Sequence, residues 1–329
     1  MSISGDEQDQ PKRLEPWMED GNIVLAAQGN YFRVHLSVLS LHSSIFKDMF
    51  ISSSPSSGCS TSSYGALDDV QVIDRCPVVQ LSDSVEDLQI VLDALYRRSH
   101  VFTFDQPMPF SVVAAFLRLG KKYEIRQLFN EAKAKLETSF PCKLPQSDLD
   151  IKITGHDPHG FQIINLAHEV GLLSVLPAAI YYFCRSCPLS SILDGYTFEG
   201  SLFSLTTPNV RTCAIGREKL LELQSVAFPW LKATASGVRR VRQCSSASCN
   251  GLVNLTIARH WHPEPSRDPF MTWEAITAEF TGENVCHTCR ATWQVEHQAG
   301  RDRAWEAFPG LLGLESWSEL ERNAIDIAL

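Results

Sequence analysis

The sequence predicts an α+β amino-terminal domain, followed by a mainly α-helical region with a small Cys-rich carboxy-terminal unit. Three observations carry this. A hairpin pattern at residues 22–35 turns directly into a helical period. Three further helical patterns follow up to about residue 137, after one more strand. Four cysteines gather in the last ninety of 329 residues. Strands first and helices after is the order of an α+β domain, and the length suggests about two domains in all.

Residues 1–19 are polar, charged and aperiodic, and are expected to form a disordered leader. From Ile23 to Ala27 and from Tyr31 to His35 run two β-prone segments separated by Gln28-Gly29-Asn30, which reads as a hairpin. Phe32, Val34 and Leu36 alternate onto one face, and Tyr31, Arg33 and His35 onto the other. Leu36, Leu39, Ser43, Phe46 and Phe50 then fall three or four apart, as on a helix. The Ser-rich run 51–65 has the composition of a surface loop.

A strand at 77–81 resumes the pattern. Ser84 with Asp87 makes a capping box ahead of Val85, Leu88, Val91, Leu92 and Leu95. Helical patterns at 111–122 and 125–137 complete a domain expected over 20–140. A helical region is expected over 141–240, where Pro177 and Pro208 mark helix starts. The Cys-rich tail is expected over 241–329, with Ser316 and Glu319 as a second capping box.

Net charge is −9 at pH 7, which opposes a general electrostatic footprint for nucleic acid. The three arginines of Val238–Arg242 are the one basic cluster that would suit phosphate. The apolar stretch from Leu172 to Phe183 contains Ser174 and Pro177 and is too short for ~30 Å of hydrocarbon. No signal-peptide core opens the sequence. A soluble chain of the cytoplasm and/or nucleus, with reduced cysteines and no membrane contact, is the expectation.

Cys244-x4-Cys249 and Cys286-x2-Cys289 are the metal-ligand candidates. Two close thiolate pairs can surround one tetrahedral structural zinc. A mixed site using His260, His262, His287 or His297, and a tail of plain reduced thiols, stay open as alternatives. Cys184 and Cys187 continue an apolar helix and are expected to pack as small hydrophobes. His168-Glu169 lacks the second histidine of a zinc-protease motif, and no phosphate-binding glycine loop or nucleophile elbow is present. The sequence therefore predicts a non-enzyme.

The segment Asp20 to Phe50 resembles the opening of a BTB/POZ domain, on Asp20, Phe32, His35, Val38-Leu39, and Ser43 or Ser44 with Phe46. LSDSVEDLQIVLDALYRR and FLRLGKKYEIRQL resemble the central and closing helices of that family. Beyond residue 140, LLSVLPAAIYYFCRSC, GREKLL and AGRDRAWEAFPGLLGLESWSEL resemble a group of fungal BTB-domain proteins. The Ser-rich loop and LYRRSH, where many relatives carry a tight glycine turn, are departures. The resemblance implies an interaction scaffold that self-associates and recruits other proteins. A cullin-type ubiquitin-ligase adaptor falls within it. A transcriptional or chromatin scaffold, and a zinc-dependent hydrolase dimerised by the domain, are the alternatives. Leu39, Phe46 and Phe50 are the candidate partner-binding residues, with core packing as their other reading.

Overall fold

The computed structural model describes residues 12–52, 71–97, 106–231, 247–261, 266–278 and 285–326. They divide into two compact units. One takes the chain up to Leu136 together with Lys152–Gly155; the other takes Glu137–Ile151 and His156 onward. Most of the Ser-rich loop, residues 1–11, Cys244 and the three arginines before it lie outside the described residues.

The first unit is built on a five-stranded sheet in the order β1-β3-β2-β5-β4. Its strands are β1 (Lys12–Trp17), β2 (Ile23–Ala27), β3 (Asn30–Val34), β4 (Val72–Ile73) and β5 (Cys76–Leu81). β2 and β3 are the expected hairpin, in register Ile23↔Val34 to Ala27↔Asn30. Its two turn residues, Gln28 and Gly29, both have positive φ, as a two-residue hairpin turn requires. β2 also runs parallel to β5, pairing Val24 with Val78. As the central strand it is buried on both faces.

β1 corrects the expected leader. Nothing periodic in residues 12–17 announces a strand; pairing with β3 creates it. The second face of the sheet anchors it: Trp17 packs with Val24, Ala26, Tyr31 and Cys76. Arg13 lies over the Trp17 ring and pairs with Asp74, and Glu15 pairs with Arg97.

The helical period read from Leu36 to Phe50 is broken by extended backbone at Ser43 into α1 (Leu36–His42) and α2 (Ser44–Ser52), whereas α3 (Val85–Arg97), α4 (Phe110–Lys122) and α5 (Arg126–Ser139) follow their sequence patterns closely. Ser84 Oγ accepts from Asp87 N as the cap predicts, at 3.0 Å, while the Asp87 carboxylate turns to Arg118. Tyr123 joins three elements. Its carbonyl accepts from Ser43 Oγ, its ring stacks on Phe46 at 4.3 Å, and its hydroxyl donates to Asp83. Burial and the Asp83 charge push its phenol well above the ordinary tyrosine range.

The second unit holds helices α6 (Phe161–Val170), α7 (Leu176–Cys184), α8 (Leu189–Asp194), α9 (Thr207–Ala227), α10 (Ala247–Trp261), α11 (Trp273–Ala278), α12 (His287–Leu311) and α13 (Trp317–Asp326). A small hairpin, β6 (Tyr196–Phe198) with β7 (Ser201–Phe203), interrupts them. Thr207 and Pro177 open helices as expected, and Ser316 with Glu319 forms the complete reciprocal cap. The expected helical region and Cys-rich tail share this one unit, because α9 packs directly on α12.

Glycines let the long helices approach closely. A Cβ on Gly216 of α9 would stand 2.6 Å from Ile180 of α7, and one on Gly300 of α12 would stand 2.5 Å from the Ala227 carbonyl. The buried stripe of α12 runs through Cys289, Trp293, His297, Gly300, Arg301, Ala304, Trp305 and Phe308. No helix among the described residues is long and apolar enough to cross a membrane.

Gly300 separates two opposing effects. Alanine improves helix propensity by about 1 kcal/mol, whereas forcing a methyl into backbone costs about 1–3 kcal/mol. The clash is against a carbonyl rather than a movable side chain. Gly300→Ala is therefore expected to lower the urea midpoint; a raised midpoint would show that the α9–α12 contact yields.

Candidate metal centre

Two helix starts place the carboxy-terminal thiols. Cys249 is the third residue of α10, Cys286 is the N-cap of α12, and Cys289 lies in its first turn. Their Sγ atoms all lie within 4.8 Å of one another. Cys286 N donates to Cys249 Sγ, and Cys289 N donates to Cys286 Sγ, each at 3.4 Å. Backbone amide donors and the start of α12 are settings that suit a metal-bound thiolate.

This donor set fits a soft or borderline metal ion. Tetrahedral coordination with ~2.3 Å metal–sulfur bonds would set the sulfurs about 3.8 Å apart, within the observed limit. Among the described residues, no other group of His, Cys, Asp or Glu side chains gathers in this way. Three of the four cysteines expected from the sequence are thus brought together, and the fourth, Cys244, lies outside the described residues.

Of the four candidate histidines, His262 and the side chain of His260 lie outside the described residues, and the other two stand apart from the cluster. His287 is exposed. His297 is buried two turns further along α12, with Nε2 2.9 Å from the Met271 carbonyl and its ring 4.8 Å from Phe228. The carbonyl requires the proton on Nε2. Next to it, Trp230 stacks on Trp293 at 5.3 Å and meets Trp273 edge-on at 5.6 Å. Cys184 and Cys187 are buried, as expected of packed thiols, and burial pushes the Cys187 thiol up to about 12.

The partner-binding expectation is corrected. Leu39, Phe46 and Phe50 are 1%, 2% and 7% exposed, so their apolar area is used inside the first unit. The helical period that turns them inward turns Leu41 and Ile45 outward, at 80% and 36% exposure. His35 has a structural setting, 3.1 Å from Asp20 and stacked on Tyr96. Its hydrogen bond holds the exposed Asp20 carboxyl below the usual range.

Sequence reasoning missed a polar constellation made by Tyr181, Arg185 and Asp268. The spacing of Tyr181 and Arg185, one helical turn apart, was legible. Asp268, more than eighty residues on, carried no signal.

Comparison with known proteins bears on the first unit. Residues 16–140 match the family model of the BTB/POZ domain. No curated protein matches the chain. The match starts inside the expected leader, in agreement with the strand found there.

His297 makes stability depend on pH. Burial, the largest cause, lowers its pKa from 6.5 to about 4. Above pH 6.5 both folded and unfolded states are neutral, and the stability is fully present. As the pH falls toward 4, only the unfolded state gains the proton, so stability declines. Between pH 7 and pH 5 this amounts to about 2 kcal/mol. Urea titrations at the two pH values should show a loss that shrinks by about that amount in His297→Gln; an unchanged pH dependence would remove His297 as its source.

Proposed function

We propose that this chain, which carries a BTB/POZ domain over residues 16–140, is a scaffold that self-associates through that domain and recruits partner proteins, a cullin-type ubiquitin ligase among them. The family match is the observation that carries the reading, because a BTB/POZ domain is a protein-interaction module. Leu41 and Ile45 support it: with Val72 they are the exposed large hydrophobics of the first unit among the described residues. They stand four apart across the α1–α2 junction, where a second copy could cover them in a two-fold contact. The work of such a scaffold suits the cytoplasm and/or nucleus.

We further propose that Cys249, Cys286 and Cys289, with Cys244 as the fourth ligand, hold a structural zinc. The convergence of three thiols at two helix starts supports this. The metal would supply a cross-link between α10 and α12, and its binding free energy would add to folding. Trp305 and Trp317 tie the end of α12 to other segments of the unit without any thiol. Losing the metal should accordingly loosen α10 and the start of α12 rather than unfold the whole tail.

Light scattering of the purified chain should give a multiple of the 36.8 kDa protomer mass, and Leu41→Asp should return it to one protomer with an unchanged urea midpoint. A wild-type monomer would reject self-association. A tagged pull-down at physiological salt tests the partner class: a near-stoichiometric cullin supports the adaptor, and transcription or chromatin proteins in its place would refute it.

Metal analysis should find about one zinc per chain, lost in Cys289→Ser, with hydrogen exchange rising in α10 and the first turns of α12. Stable wild-type protein without zinc would sink the metal reading.

A further inference from the structure

Within the second unit, α7, the irregular segment 145–149 and residues 268–275 enclose a cleft of about 230 Å³. Arg185 is fixed in its wall. Its Nη1 donates to Tyr181 Oη at 3.1 Å and to Asp268 Oδ2 at 3.2 Å, and its guanidinium lies 5.3 and 5.2 Å from the ring centres of Tyr181 and Tyr182. Tyr181 Oη in turn donates to Asp268 Oδ1 at 2.7 Å. Among the described residues, Nε and Nη2 of Arg185 have no hydrogen-bond partner, and the side chain remains 25% exposed.

The charges around the cleft do not balance without Asp148. Arg301 is buried behind it, donating to the carbonyls of Pro145 and Phe270, two of the residues that line it. Two fixed guanidiniums, Arg185 in the wall and Arg301 behind it, therefore stand near one fixed carboxylate, Asp268, since Asp302 beside Arg301 on α12 is exposed and screened by solvent. Glu274, on α11, is exposed and screened by solvent. The second carboxylate comes from Asp148, which is 87% exposed in a segment without regular structure. It stands 3.6 Å from Arg185, beyond hydrogen-bond range. A pair held so loosely at the surface contributes little.

We propose that this cleft binds a carboxylate of a partner polypeptide, which takes the unused donors of Arg185, Nε and Nη2, and supplies the charge that Asp148 lends from beside Nη1. A guanidinium already clamped by Asp268 and two aromatic rings loses little freedom on forming a forked pair with a carboxylate. Leu149, Phe270 and Met271 add apolar wall for a residue beside the acid. The proposal rests on the interaction-scaffold reading and assigns its second unit a chemistry of recognition.

The test is fluorescence polarisation of the full chain against fluorescein-labelled octapeptide pools, each fixing one residue type at one position, with free or amidated carboxyl termini. Pools fixing Asp or Glu should bind; if only free-terminus pools bind, the carboxylate recognised is terminal. Arg185→Gln should weaken that binding about tenfold or more. Asp148→Ala, at an exposed site that folding does not need, should strengthen it about threefold. Preference for Lys or Arg pools, binding indifferent to both substitutions, or no binding by any pool would overturn the proposal. Failure of the scaffold reading looks different: a wild-type monomer that recovers no partner, whatever the peptide pools show.

Discussion

The second unit depends on one buried cation. Arg301 is 1% exposed, and no carboxylate among the described residues lies within ion-pair distance of it. A charge in that position is tolerated only when its donors are met. Nε goes to the Phe270 carbonyl, Nη2 to Pro145 and Nη1 to the Gln298 side chain. Those carbonyls belong to two irregular segments more than a hundred residues apart. Neither has a ladder or helix of its own to satisfy its backbone, so the guanidinium does for them what regular structure does elsewhere. Trp305, one turn further on, repeats the device by donating to Cys142.

The first unit solves a related problem with Tyr123. Its hydroxyl and the Lys122 ammonium satisfy the nearly buried Asp83, and its carbonyl receives Ser43, whose oxygen also caps α2 through Phe46 N. One residue thus connects the strand-to-helix loop after β5, the end of α4 and the start of α2. Polar side chains at element ends, more than added apolar area, set how these helices meet.

This explains what the sequence could and could not disclose. Periodicity placed α4, α5 and α9 within a few residues, and both Ser caps formed, because each depends on neighbours three or four positions away. β1 was invisible because a strand that exists only through its partner leaves little local pattern. Period alone could not say which side of α1–α2 faces inward, so a partner-binding reading of Leu39, Phe46 and Phe50 stayed open beside the core reading. The thiol spacing was legible as chemistry, whereas the convergence of two helix starts on it was not. The single-unit character of residues beyond 140 hangs on Gly300 and Arg301, whose significance appears only once Ala227, Pro145 and Phe270 are brought to them.

Arg301 and Arg185 show how the same side chain can serve structure or recognition. In the first, all three nitrogens are used and the surroundings are closed, so no donor remains for a ligand. In the second, one nitrogen carries both fixed contacts while the side chain lines a cleft and its other two nitrogens are unpaired among the described residues. Buried polar groups are normally satisfied by their own chain, and local rules tend to be broken where a protein does its work. Clamping one edge of a guanidinium and leaving the other unspent gives a rigid receptor for a planar anion. Asp148 then acts as an exchangeable stand-in, near enough to neutralise the site and too loosely held to close it.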